Sequence, residues 1–164
     1  MSSGKQAGWG RTARRIALPL GAVVVVSLLG QAATFPNLSW YAGLARPSIS
    51  PPNWLFGPVW TALYGLMACA AFRILRLPAS PAQRTALGLF WAQLALNAAW
   101  SWMFFAAHSP LLGLINIVPQ VILVVAAATA FIRLDRIAGL CLLPLVGWVG
   151  FATALNSAVW WLNR

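Results

Sequence analysis

Five long apolar runs, almost free of charge, dictate what this chain can become: residues 16–34, 56–75, 85–107, 111–132 and 137–162. Lipid offers backbone N–H and C=O groups no hydrogen-bond partner. A segment crossing the hydrocarbon core therefore satisfies its own backbone as a helix, and about 20 mostly apolar residues span the distance. Composition leaves no soluble alternative: 7% of residues are charged, against roughly 25% in an ordinary soluble domain. The sequence predicts an all-α integral membrane bundle of five transmembrane helices, divided into a basic N-terminal tail (1–15) and a single membrane domain (16–164). The basic start, the first apolar run and Gly30-Gln31-Ala32 loosely fit a secretion signal. The run continues to nearly full spanning length, so an uncleaved first helix is expected.

The charges are asymmetric. Lys5, Arg11, Arg14, Arg15, Arg73, Arg76, Arg84, Arg133 and Arg136 fall at one end of the spans, and Arg46 and Arg164 at the other. The positive-inside rule then puts the N-terminus in the cytoplasm and the C-terminus outside, in a bacterial-type cell membrane. The net charge of +10 is explained by headgroups and orientation, so no nucleic-acid partner is expected. The connection 35–55 carries Pro36, Pro47, Pro51 and Pro52 with Trp40, Tyr41 and Trp54. Prolines stiffen a loop and aromatics give it packing surface, so this segment reads as an ordered cap.

Ten tryptophans are more than this chain needs. An aromatic belt should populate both headgroup levels. Here Trp40, Trp54, Trp60, Trp100, Trp102, Trp160 and Trp161 gather toward the outer end, while Trp91 and Trp148 lie deeper. The excess points to an aromatic-lined cavity open toward the outer leaflet under the loop. Helical spacing puts Trp60, Tyr64 and Met67 on one face, Gln93, Asn97 and Trp100 on another, and Trp148, Ala152 and Asn156 on a third. Amides in hydrocarbon need partners, so Asn97, Asn116, Gln120 and Asn156 should face the interior, either joining helices or meeting a ligand. Catalysis finds little support. Asp135, the lone acid, sits in a turn between two arginines, and His108 is the lone histidine. No metal-ligand set can be assembled, and Cys69 and Cys141 read as small apolar core residues.

Several motifs resemble one family. Trp40-Tyr41-Ala42-Gly43-Leu44, Arg46-Pro47-Ser48, Pro51-Pro52, Trp54, Gly57-Pro58-Val59-Trp60 and Leu63-Tyr64 are similar to the translocator protein / tryptophan-rich sensory protein family. So are Gln93-Leu94-Ala95-Leu96-Asn97, Trp100 and Phe104-Phe105, and later Pro144, Trp148, Phe151-Ala152-Thr153 and Leu155-Asn156. The resemblance covers residues 16–163. It implies a five-helix membrane protein, often a homodimer, that binds porphyrins such as protoporphyrin IX, sterol-like lipids and benzodiazepine-type ligands. In some bacterial members it also implies light-dependent porphyrin breakdown.

Carried over by motif, Trp60, Asn97 and Trp148 would contact the ligand, with Tyr41, Pro47 and Trp54 in the closing loop. Tyr64, Trp100 and Ala152 join this set by their helical faces. The expected function is a tetrapyrrole-binding sensor or scavenger without a resident cofactor. A porphyrin or lipid carrier and a porphyrin-degrading enzyme are the alternatives. Ser48-Ile49 and Leu145 depart from the aromatic residues common in the family. Ser157, Ala158 and Trp161 stand where the sterol-associated pattern has a Tyr and then a basic residue. Small residues on the third span, Gly88, Ala92, Ala95 and Ala99, suit a homodimer contact through that helix.

Overall fold

A computed structural model describes the backbone of residues 3–164 and the side chains of residues 17–164. The basic stretch from Lys5 to Arg15 therefore lies outside the described side chains. Five long helices and one short one make up the fold: α1 (Ser3–Thr34), α2 (Leu38–Ala42), α3 (Asn53–Leu75), α4 (Pro81–Ser101), α5 (Pro110–Leu134) and α6 (Arg136–Leu162). The described residues contain no strand.

Sequence explains where the last three helices start. Ser80 and Ser109 each place a hydroxyl on the backbone N–H three residues on (Gln83 and Leu112), and each is followed by a proline at the first helical position. The serine satisfies an orphan donor, and the proline needs none there. Asp135 does the same for α6 by accepting from the Ala138 N–H. That one-residue turn brings α5 and α6 so close that a side chain on Gly139 would collide with Ile132.

The long helices close into a ring. Going round it, α1 packs on α3, α3 on α6, α6 on α5, α5 on α4, and α4 back on α1. A continuous apolar core runs through the bundle, with Met67, Ile74, Phe90, Val124 and Phe131 fully buried and Phe90 stacked on Phe131 at 5.7 Å. Leu, Val and Ile cover the outward faces of α1, α5 and α6, as in Leu28, Ile115, Ile122 and Leu140. That surface is stable only in contact with acyl chains.

Among the described residues, four segments are each long and apolar enough to cross a bilayer: Ala17–Ala42, Asn53–Leu75, Pro110–Leu134 and Arg136–Leu162. Helix α4 has the length but is less apolar, because it carries Gln83, Gln93 and Asn97. All three are buried inside the bundle, so it completes the ring without showing amides to lipid. Two expectations need adjustment. The connection after the first span is partly helical, since a 3₁₀ turn (Phe35–Asn37) leads into α2. The third span ends not as an α-helix but as a π-helical turn, Trp102–Ala106.

Candidate ligand-binding site

The residues singled out from sequence fall into three neighbouring groups at one end of the ring. The first lines its interior. Trp60 and Tyr64, one turn apart on α3, hold their rings 5.4 Å apart. The Tyr64 hydroxyl crosses to α4 and donates to Asn97 Oδ1 at 3.0 Å. Trp148 on α6 meets Phe56 of α3 edge-on at 5.8 Å, and Phe151 of its own helix at the same distance. Ala152 follows one turn later. Trp60, Tyr64, Trp148 and Ala152 are all half-buried and pack against the main core.

One turn below Asn97, Gln93 is almost wholly buried and reaches across to Met67 Sδ at 3.7 Å. Among the described residues its Oε1 has no protein partner, and neither does the buried Asn116 Oδ1 on α5. Asn97 uses its oxygen on Tyr64, and its amide nitrogen makes no protein hydrogen bond among the described residues. The interior thus offers a donor and an acceptor one helical turn apart, within an otherwise aromatic and aliphatic wall. The expectation that Asn97, Asn116, Gln120 and Asn156 face inward holds, since all four are buried.

The second group is the loop. Arg46, Pro47, Ser50, Pro51, Pro52, Asn53 and Trp54, with Leu44, surround an open cavity of about 750 Å³. The loop is fastened at several points. Asn163, at the end of α6, accepts from the Ala45 N–H at 3.0 Å and donates to the Ala45 carbonyl at 2.9 Å. Arg46 lies over the Tyr41 ring at 5.4 Å and donates to Asn53 Oδ1 at 3.3 Å. Trp54 is 70% exposed, the most open of the large apolar side chains here. Pro47 and Trp54 therefore share a cavity with each other, while Trp60, Asn97 and Trp148 belong to the helical wall.

The third group is an aromatic knot. The π-helical turn carries i→i+5 bonds, from the Ala107 N–H to the Trp102 carbonyl at 2.9 Å and from the Ser109 N–H to the Phe104 carbonyl at 3.1 Å. The wider turn points both Phe104 and Phe105 inward, where they are buried. Trp100 stacks on Phe104 at 4.9 Å, and Tyr41 meets Phe104 and Phe105 edge-on. Trp100 Nε1 donates to Asn156 Oδ1 at 3.1 Å, and Asn156 Nδ2 donates to the Pro110 carbonyl at 2.8 Å. Gly113 is required here, because a Cβ would come within 2.8 Å of both Asn156 Oδ1 and Phe104. At the rim, His108 stacks on Trp40 at 4.7 Å and shares a 2.8 Å hydrogen bond with Asn37. Tyr41 and Trp100 thus hold the cap to the bundle.

Sequence reasoning missed Phe56 and Phe151 as wall residues, although each sits one turn from a chosen tryptophan. It also placed Asn97 beside Trp100, whereas Asn97 pairs with Tyr64 and Trp100 with Asn156.

A ring of long apolar helices, with aromatic clusters beneath a fastened loop, defines the class: a helical integral membrane protein. Residues 16–162 match the TspO/MBR family. The tryptophan-rich protein TspO of Chlorobaculum tepidum is 39% identical over 150 residues, covering 90% of this chain and 95% of that protein. Protein CrtK of Rhodobacter capsulatus is 40% identical over 153 residues, with the same coverage. The translocator protein of Homo sapiens is 35% identical over 126 residues, covering 76% of this chain and 75% of its own. The chain belongs to the TspO/MBR family.

Proposed function

We propose that this protein binds a large flat apolar ligand of the tetrapyrrole class in the ring interior, and acts as a membrane sensor or scavenger for it. One observation carries the reading: half-buried indole rings on the packed helices α3 and α6, Trp60 and Trp148, each stand against further aromatic rings, close to few polar groups. Indole faces suit a macrocycle, and each aromatic contact adds on the order of 1 kcal/mol beyond burial. Gln93 Oε1 suits a ligand N–H, and the Asn97 amide nitrogen suits a carbonyl or carboxylate. Arg46 is the cation beside the loop cavity, placed to meet a carboxylate at the mouth.

Titration of the purified protein with protoporphyrin IX, read by quenching of Trp fluorescence, tests this. Trp60→Leu and Trp148→Leu should each weaken binding by about 1–2 kcal/mol, roughly five- to thirtyfold. Trp161→Leu is the control, since Trp161 is 58% exposed on the outer surface. Equal affinities in the wild type and both wall variants, all folded, would falsify the shared wall. Vesicle transport of porphyrin would instead favour a carrier. Light-driven loss of the porphyrin spectrum with a new product would favour an enzyme.

We infer a homodimer through α4 from a second observation. The outward residues of α4 between its ends are Thr85, Gly88, Ala92 and Ala95, at alternating three- and four-residue spacing. This smooth strip gives lipid little to hold and lets a second backbone approach.

A further inference from the structure

At the opposite end of the bundle from the loop, a second cavity of about 290 Å³ lies between the end of α3 and the start of α6, lined by Arg73, Arg76, Leu77 and Asp135. We propose that it is a binding site for the headgroup phosphate of an anionic phospholipid.

The charges in it are unequal. Arg73 is committed: its Nε reaches both Asp135 oxygens, at 3.2 and 3.0 Å, and its Nη2 reaches Oδ2 at 2.8 Å. Asp135 in turn accepts from the Ala138 N–H and caps α6. The carboxylate is therefore fully engaged, and the Arg73–Asp135 pair is close to neutral from outside. Arg76 is different. An arginine at a helix end can cap the last carbonyls, but here Gln83 already takes the Ile74 and Leu77 carbonyls at 2.8 and 3.1 Å. Among the described residues Arg76 has no acceptor. Its guanidinium rests over the Phe72 ring at 5.4 Å, which holds the stem and leaves the N–H groups free.

The cavity thus combines a cation that has no acceptor among the described residues with the remaining N–H groups of a fixed one. Planar guanidinium donors match two phosphate oxygens at once. The volume equals about ten water molecules, enough for a phosphodiester with its glycerol carbons. The occupant is a lipid because the setting is membranous. Leu77 forms one wall, and Ile132 and Ile137, on either side of Asp135, are 39% and 54% exposed on the outer surface of α5 and α6. A headgroup in the cavity would leave its chains lying along these residues.

Native mass spectrometry of the purified full chain in neutral detergent, titrated with phosphatidylglycerol or phosphatidylcholine, tests the site. Wild-type protein should retain a first phosphatidylglycerol and no comparable phosphatidylcholine. Arg76→Gln should lower its affinity by about fivefold, the effect of one cation at an anionic surface. Arg84→Gln removes the same charge from the first turn of α4, outside the cavity, and should change it less than about twofold. Arg76→Lys, which keeps charge without the planar fork, should fall between. Equal retention of the two lipids would overturn the proposal, and that comparison needs no variant. Equal losses in Arg76→Gln and Arg84→Gln would reduce it to a diffuse field. Displacement of phosphatidylglycerol by millimolar inorganic phosphate would make it a free-anion site and overturn the lipid occupant.

Discussion

Trp100→Phe isolates one atom of the aromatic knot. The phenyl ring keeps the stack on Phe104 but removes the Nε1–H that donates to Asn156 Oδ1 at 3.1 Å. Asn156 is only 2% exposed, so water cannot replace the lost donor without entering the bundle. Its nitrogen stays fixed on the Pro110 carbonyl, so the amide cannot rotate to find another partner. A buried acceptor left unpaired costs about 1–3 kcal/mol, more than the net worth of the bond itself. For a chain of this size that is roughly 2–12 °C in midpoint, at 2–4 °C per kcal/mol. Thermal unfolding in detergent, followed by near-UV circular dichroism, reads it. Adding Asn156→Leu should restore part of the loss, because removing both partners costs less than orphaning one. Porphyrin affinity should change little, since Trp100 holds the cap and the proposed site rests on Trp60 and Trp148. An unchanged midpoint together with a tenfold loss of porphyrin affinity would refute this division, and would put the Trp100 indole against the ligand.

Other outcomes follow from the same coordinates. Asn97→Leu removes the interior amide donor and should weaken carboxylate-bearing porphyrins by about 1–2 kcal/mol while sparing their esters, measured by parallel titrations. Ala92→Leu puts a branched side chain on the outward strip of α4 and should shift cross-linked dimer to monomer; an unchanged dimer fraction would exclude that interface. The Asp135 carboxyl is held below the ordinary carboxylate range by the Arg73 guanidinium first and the Ala138 N–H second. Its stabilising effect is therefore complete above the unfolded value of about 3.9 and disappears as pH falls further, through the folded value. The midpoint should be level from neutral pH to about 5 and drop below about 4, and Asp135→Asn should flatten that drop. Reporter fusions should place the N-terminus in the cytoplasm and the C-terminus outside.

The fold was legible because the bilayer is an unforgiving solvent. The apolar runs had to be helices, and the amides had to turn inward, as Asn97, Asn116, Gln120 and Asn156 do. Other features were decided by tertiary contact. No local signal fixes the ring order, which depends on which faces match. The π-helical turn adds a residue to the helix so that Phe104 and Phe105 both point inward, and it closes onto Tyr41 and Trp40 from a segment some sixty residues earlier. Helical spacing put Trp100 and Asn97 on one face, but it could not tell that each bonds across to a different helix. The helical start of the cap was hidden because Pro36 reads as a break, whereas the structure uses it inside a 3₁₀ turn.

The tryptophans divide by what satisfies their N–H and faces. Trp40 and Trp100 are spent on protein: one stacks on His108, and the other bonds Asn156 and stacks on Phe104. Trp102 and Trp161 are 47% and 58% exposed, as belt residues should be. Trp60 and Trp148 fit neither class. Each is half-buried, touches a neighbouring ring, and makes no protein hydrogen bond through its indole N–H among those described. An indole N–H inside a membrane bundle is worth most when something accepts it. A ligand carrying carbonyl or carboxylate oxygens on a flat apolar body meets both needs at once. A plain hydrocarbon ligand would use the faces and leave the N–H groups unpaired. The wall should therefore favour tetrapyrroles bearing oxygen acceptors over pure hydrocarbons of equal area.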